Sequence, residues 1–360
     1  MTLHRALAAL IVILAVCLGG LWSADLLLEK RREESRAADS AFHKVGGPVG
    51  PAPAAVFRID LAIPGAPETW TYVKETDGWR MPQYRQGFAQ GRALEGLLAA
   101  FLEGRGTVVG RMPADAEHFG MIRGKALEAD LRAASGNLLL HGVAGRVAPG
   151  QRSGECFVTA EGNDAILHLD ANPWTPVAWT PRDRFPPLLD RHVVPEALGR
   201  GFPSRIELAG RSAPAVRALI RKDLPPDPRG MGPDRGPRFE WYGVFEGAEQ
   251  RVNDAAASGY AGSFGRLELE ELLGPSAEGT GPFADPELTA TIDYDGKARD
   301  TLILGSAGAG GTRALLHATT KQAFLIAPAA AASMAPDAKA LLEPNPPRPG
   351  DPAPAEPAPR

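Results

Sequence analysis

Between Ala6 and Leu21 the chain reads ALAALIVILAVCLGGL, without one charged side chain, and a charged segment, Glu29–Arg36 (EKRREESR), follows soon after. An α-helix rises about 1.5 Å per residue and needs roughly 17–25 apolar residues to cross a hydrocarbon core. Continued through Trp22 and Ser23 to Asp25, this run sits near the short end of that window. A helix buried in a soluble domain would carry a polar stripe, and this one carries none. Residues 1–40 therefore read as a membrane anchor and its charged flank. Cleavage as a secretory signal stays open, although GLWSAD offers a poor small-x-small site, and Val16 stands where a lipoprotein signal needs a small residue before Cys17. Arg5 lies on one side of the run and Lys30, Arg31, Arg32 and Arg36 on the other. That count alone would keep the following chain in the cytoplasm, but long domains translocate largely regardless of it.

The formal net charge of −4 supplies no overall basic field, so nucleic acid is not expected as a partner. Two cysteines, Cys17 and Cys156, exclude a disulfide framework and a cysteine-based zinc site. Residues 41–55 form a Gly/Pro-rich stalk, expected to be semi-extended and unable to pack. A first unit then spans 56–215. FRIDL reads as a strand, and ETWTYVKETDGWRMP as a hairpin turning at Asp77–Gly78. Leu94, Leu97, Leu98, Phe101 and Leu102 recur at helical spacing, and KALEADLRA, NLLLHGV, ECFVTAE and AILHLD read as strands. NPWTPVAWTPRDRFPPLLD is a Pro-broken loop with short helical turns.

A Pro/Gly-rich linker, 216–237, leads to a second unit, 238–342, in which RFEWYGVFEG, a helical stretch from Val252 to Gly265 merging into RLELEELLG, and four strand-like pieces recur in the same order. The two units align about 160 residues apart, as internal duplication produces. Trp70 falls opposite Trp241, Phe119 opposite Phe283, Gly142 opposite Gly305, and Ala165–Ile166–Leu167 opposite Ala323–Phe324–Leu325. The Pro-rich tail, 343–360, is expected to be disordered. The expected fold class is α+β: an N-terminal transmembrane helix, then two duplicated units, each an antiparallel β-sheet packed with a helix.

The hairpin DGWRMP, the Leu-rich helix closing on a short strand (ALEGLLAAFLEGRGTVV) and the turn PAD-x-x-x-FG from Pro113 to Gly120 resemble the domain-of-unknown-function family 4340. The resemblance covers about residues 56–342 and is clearest in the first unit; Tyr260–Gly265 departs from it in the second. It implies a single-pass protein of the inner membrane with the bulk of the chain extracytoplasmic. It also implies partners: the permease and auxiliary subunits of a gliding-motility-type ABC transport system. No catalytic residues come with it.

The chemistry legible in the residues is sparse. None of the seven histidines pairs with another His or Cys at metal-ligand spacing; His141 and His168, on strands of one unit, leave a two-His site conceivable. No GxSxG elbow occurs, and Gly305–Gly311 lacks the GK[ST] ending of a phosphate loop. Asp293 and Asp295 read as a plain turn, since Lys297 and Arg299 stand where calcium ligands would follow. Trp174 and Trp179 bracket the Pro-broken loop and are the candidate partner-binding residues; packing inward as a lid is the competing reading. The expected function is a non-catalytic accessory protein without metal or cofactor, binding a partner subunit or substrate. The alternatives are a structural scaffold, or an envelope hydrolase of glycan or lipid using carboxylates such as Asp170, Asp183 or Asp190.

Overall fold

The structure, a computed structural model, describes residues 30, 42–47, 50–145, 156–160, 162–169, 171–224, 239–295, 298–307 and 311–345. Ala6–Leu21 lies outside them, and no helix among the described residues is long and apolar enough to cross a membrane. Contacts divide the chain into two compact units, Met1–Thr71 with Arg92–Pro187, and Tyr72–Gly91 with Leu188–Arg360.

The α+β expectation is corrected: the chain is mostly β, built on two antiparallel sheets with few helices. The first sheet contains β1 (His43–Lys44), β2 (Arg58–Ala62), β3 (Trp70–Glu75), β4 (Gly78–Met81), β5 (Gly87–Phe88), β6 (Arg105–Arg111), β7 (Leu127–Arg132), β8 (Leu138–Gly145), β9 (Cys156–Ala160) and β10 (Ala165–Leu169). Its order is β1-β6-β10-β9-β8-β7-β2-β3-β4-β5. The second contains β11 (Pro203–Ala209), β12 (Val216–Asp223), β13 (Phe239–Phe245), β14 (Ala248–Arg251), β15 (Glu271–Pro275), β16 (Leu288–Tyr294), β17 (Arg299–Ala307), β18 (Arg313–His317) and β19 (Gln322–Ile326). Its order is β14-β13-β12-β11-β16-β17-β18-β19-β15. Among the described residues two helices exceed two turns, α1 (Gly91–Leu102) and α2 (Asp254–Ser263). The physical reason for the correction lies in stretches such as RLELEELLG. Leu267, Leu269 and Leu272 are buried while Glu268 is exposed, an alternation that serves an extended chain; Glu271–Pro275 pairs with β19.

Apart from β1, the two strand orders correspond one to one, with β2 matching β11 and β6 matching β15. The ladders also fix the register. Leu127, Ala144, Val158 and Leu167 form a buried row across β7 to β10, and Leu288, Leu304, Leu315 and Phe324 form the same row across β16 to β19. Leu167 is thus level with Phe324, one residue from the match read in the sequence. Trp241, on β13, is level with Trp79 on β4 rather than Trp70 on β3. The Trp79 carbonyl accepts from Ala89 N at 2.8 Å just before α1, and the Trp241 carbonyl from Val252 N at 3.0 Å just before α2.

On the first sheet the apolar stripe of α1 is buried, and Phe101 lies directly over Gly142, where an added Cβ would meet its ring at 2.4 Å. The opposite face is closed over β8 to β10 by Met121, Phe157 and Ile166 with Phe119, and left open over β2 and β7. Phe283 sits in the corresponding outer cluster of the second sheet, with Ile303, Ala314, Leu316 and Ala323. The helix α2 starts on an Asn253 cap, whose side chain accepts from Ala256 N at 3.0 Å.

Two segments differ from the sequence reading. The Gly/Pro-rich stretch is not wholly a stalk: His43–Lys44 pairs with Gly106 and Arg105, and Val45 is buried. Val216–Asp223, read as the start of the linker, is a strand paired with both β11 and β13. Of the tail, Asn345 is held: its Oδ1 accepts from Asp254 N at 2.7 Å, and its Nδ2 donates to the Val252 carbonyl at 2.9 Å. Residues 346–360 lie outside the described residues.

Candidate functional site

Strand alternation sends Ile59, Leu61, Leu127, Ala129 and Leu131 into the core and the residues between them to the open face. On that face Asp60 stands directly opposite Asp130, and Asp130 directly opposite His141, so three strands contribute one polar row. Above it lies a cleft of about 710 Å³, walled by the β2–β3 loop from Ile63 to Thr69 and by Arg123, Gly124 and Ala126.

The row is tied together by charge-assisted hydrogen bonds. Arg58 Nε donates to Asp60 Oδ1 at 2.9 Å and Oδ2 at 3.0 Å, and Thr71 Oγ1 donates to Asp60 Oδ1 at 2.7 Å. Arg132 bridges the two carboxylates, with Nε on Asp60 Oδ2 at 3.1 Å and Nη2 on Asp130 Oδ2 at 2.7 Å. Partial burial works to raise the Asp60 pKa; Arg58, Thr71 and Arg132 outweigh it and hold the carboxyl below its usual value. Arg132 is raised above its ordinary value, first by its hydrogen bond to Asp60. His141 Nδ1 lies 2.7 Å from Asp130 Oδ1. An ionised carboxylate only accepts, so Nδ1 carries the hydrogen, and in the neutral imidazole Nε2 is then the acceptor. The lining contains no serine or cysteine among the described residues.

The residues singled out in the sequence go elsewhere. Trp174 and Trp179 are half-buried and tied to backbone carbonyls, Trp174 Nε1 donating to Gly145 at 3.2 Å and Trp179 Nε1 to Phe185 at 3.0 Å. Asp183 accepts from Thr180 N at 2.6 Å and Thr180 Oγ1 at 3.2 Å, closing a turn. Asp190 is buried and accepts from His192 N at 3.0 Å, His192 Nδ1 at 2.8 Å and Glu196 N at 2.8 Å, which fixes a bend. Asp170 lies outside the described residues. His168 stands opposite Phe157, itself opposite Gly145, four residues along β8 from His141. Strand spacing therefore separates the two histidines by roughly 15 Å, too far to share one metal ion. No group of three or more His, Cys, Asp or Glu among the described residues has metal-binding geometry.

The sequence reading missed Asp60 and Asp130. Their signal is present: charged residues fill the outward positions of RIDL and LEADLR, where a solvated face tolerates any polar residue. What brings them to His141 is strand pairing, which alternation does not reveal.

The second sheet carries Glu207, Thr291 and Thr301 at the levels of Asp60, Asp130 and His141. Its charges there pair locally, Arg205 Nε with Glu207 Oε1 at 2.7 Å and Arg299 Nε with Asp293 Oδ1 at 2.6 Å. The same fold therefore exists in this chain without the acid–histidine row. No family model, curated protein or solved structure matches the chain.

Proposed function

We propose that this chain is a non-catalytic binding protein, anchored in the inner membrane by Ala6–Leu21 with its bulk extracytoplasmic, that serves a gliding-motility-like ABC transport system. It engages a partner subunit or a substrate through the cleft of the first sheet. The observation that carries the binding role is the contrast between the sheets: one strand order, used twice, holds the Asp60–Asp130–His141 row under a cleft in only one of them. The transport context rests on the family resemblance and on the apolar run. Gentle solubilisation and affinity purification of the full chain test it. Copurification of an ABC permease is expected, and recovery as a lone monomer under the same conditions counts against the reading.

One observation favours a second reading, hydrolysis in the envelope. The Asp130–His141 hydrogen bond at 2.7 Å orients an imidazole as general bases are oriented. Asp183 and Asp190 serve turns instead. Turnover of glycan or ester substrates that is abolished by His141→Ala would favour that reading over binding alone.

A further inference from the structure

The cleft of the first sheet holds, on its floor, one carboxylate that the fold leaves uncompensated; Glu68, exposed on its wall, is a second without a partner among the described residues. Asp60 is matched by Arg58 and Arg132, and Asp130 by Arg132, with His141 Nδ1 as a further hydrogen-bond donor to it. Glu128 lies two residues from Asp130 on the same face, half-buried, with no hydrogen bond or ion pair to its side chain among the described residues. Its directly opposite cross-strand neighbours, Ala62 and Val143, carry no charge. Arg123, on the wall of the cleft, is exposed and makes no ion pair with it. Taking an unpaired carboxylate partly out of water costs stability.

The second sheet shows that the fold does not require this charge. At the level of Glu128 it has Thr289, between Ala209 and Ile303, the same small and branched apolar neighbours without the ion. That sheet's smaller cleft, of about 300 Å³, does contain a carboxylate, Glu287, but Arg313 pairs with it directly. Within the first cleft, the unspent groups on the floor are therefore a negative oxygen pair on Glu128 and, in the neutral imidazole, the acceptor His141 Nε2. Both accept hydrogen bonds, and one carries charge. Among the described lining residues two unpaired carboxylates, Glu68 and Glu128, face one unpaired cation, Arg123, which disfavours an anion.

We propose that the cleft binds its ligand through a primary ammonium group, with Glu128 as counter-charge and His141 Nε2 as the second acceptor. An ammonium brings three donors and one positive charge, the complement of those two groups. The inference rests on the reading of the chain as a binding protein. The ammonium belongs either to a small free amine or to a lysine side chain of a partner, and the probes below separate the two.

The full chain in neutral detergent is titrated with putrescine, Nα-acetyl-lysine N-methylamide and butane-1,4-diol, with binding read by calorimetry. At least one amine is expected to bind ten-fold or more tightly than the diol, and the tighter of the two amines assigns the source. Glu128→Thr, which installs the second sheet's residue, is expected to weaken amine binding at least ten-fold while the melting temperature stays unchanged or rises. A merely structural Glu128 would instead lower the melting temperature. Equal binding of amine and diol, no amine binding up to millimolar concentration, or full affinity in Glu128→Thr would each overturn the proposal. Permease copurification by Glu128→Thr without amine binding separates this inference from the transport reading.

Discussion

Asp300 is a residue at which the second unit departs from the first in chemistry. It sits on β17, level with Leu140 on β8, and is fully buried. Arg200 grips it with two bonds, Nε to Oδ2 at 2.8 Å and Nη2 to Oδ1 at 2.7 Å, and His317 Nε2 lies 3.5 Å from Oδ1. Burial works to raise the Asp300 pKa; His317 and Arg200 outweigh it and set it at about 2. The folded value is below the unfolded one, so the stability this carboxylate adds is complete above about pH 4 and is lost as pH falls through 2. Its size is about 2 kcal/mol. Urea midpoints measured from pH 7 to pH 2 should fall over that interval, and Asp300→Asn should flatten that segment. At neutral pH the same variant strands Arg200 beside a buried neutral amide and should cost about 3 kcal/mol. No sequence pattern announced this site: an aspartate at an inward position of TLILG's strand reads as a register error until Arg200, a hundred residues away, is seen to hold it.

At the scale of elements, the parts fixed by local chemistry were legible and the parts fixed by pairing were not. The stripe Leu94, Leu97, Leu98, Phe101 and Leu102 named α1 from spacing alone, and all five are buried. By contrast, α2 (DAAASGYAGS) has no apolar stripe; it is held by the Asn253 cap, by Asn345, and by Ser258 accepting Trp241 Nε1 at 3.0 Å. The bulk missing from α2 reappears on the sheet, where Leu302 stands level with Gly142. Two predictions belong here. Gly142→Ala places a methyl against Phe101 in a packed interior and should destabilise by about 1–3 kcal/mol. Asn253→Ala removes a cap from a helix with little apolar packing and should cost about 1 kcal/mol. Denaturant midpoints of the full chain measure both. The register slips have a similar origin. Trp70 and Trp79 lie in strands of one hairpin, and only the backbone bond closing onto α1 distinguishes which of them is the partner of Trp241. A one-residue slip at Ala165–Leu167 likewise exchanges inward and outward faces, and strand composition alone does not forbid it.

At the scale of the whole molecule, the polar row and the apolar run are linked by chain length. Because β1 begins at His43 and Val45 is already buried, the tether between the apolar run and the first sheet is shorter than a Gly/Pro-rich stalk ending near residue 55 would make it. The seventeen residues from Leu26 to Phe42 span at most about 60 Å when fully extended. An anchored chain would therefore keep the β1 edge within that distance of the bilayer, close enough for a membrane-embedded partner to reach. The attachment itself is open to a direct measurement. If the apolar run is the only hold on the membrane, the full chain sediments with membranes and resists alkaline carbonate, because inserting such a run is effectively irreversible. A chain beginning at residue 41 retains β1 and both sheets, so it should remain in the supernatant with the β-rich circular dichroism of the parent. Sedimentation of that shortened chain would place the attachment on the folded units and remove the tether from the argument. Release of the full chain by carbonate would mean that the run does not span, and the distance limit on the cleft's partner would lapse with it.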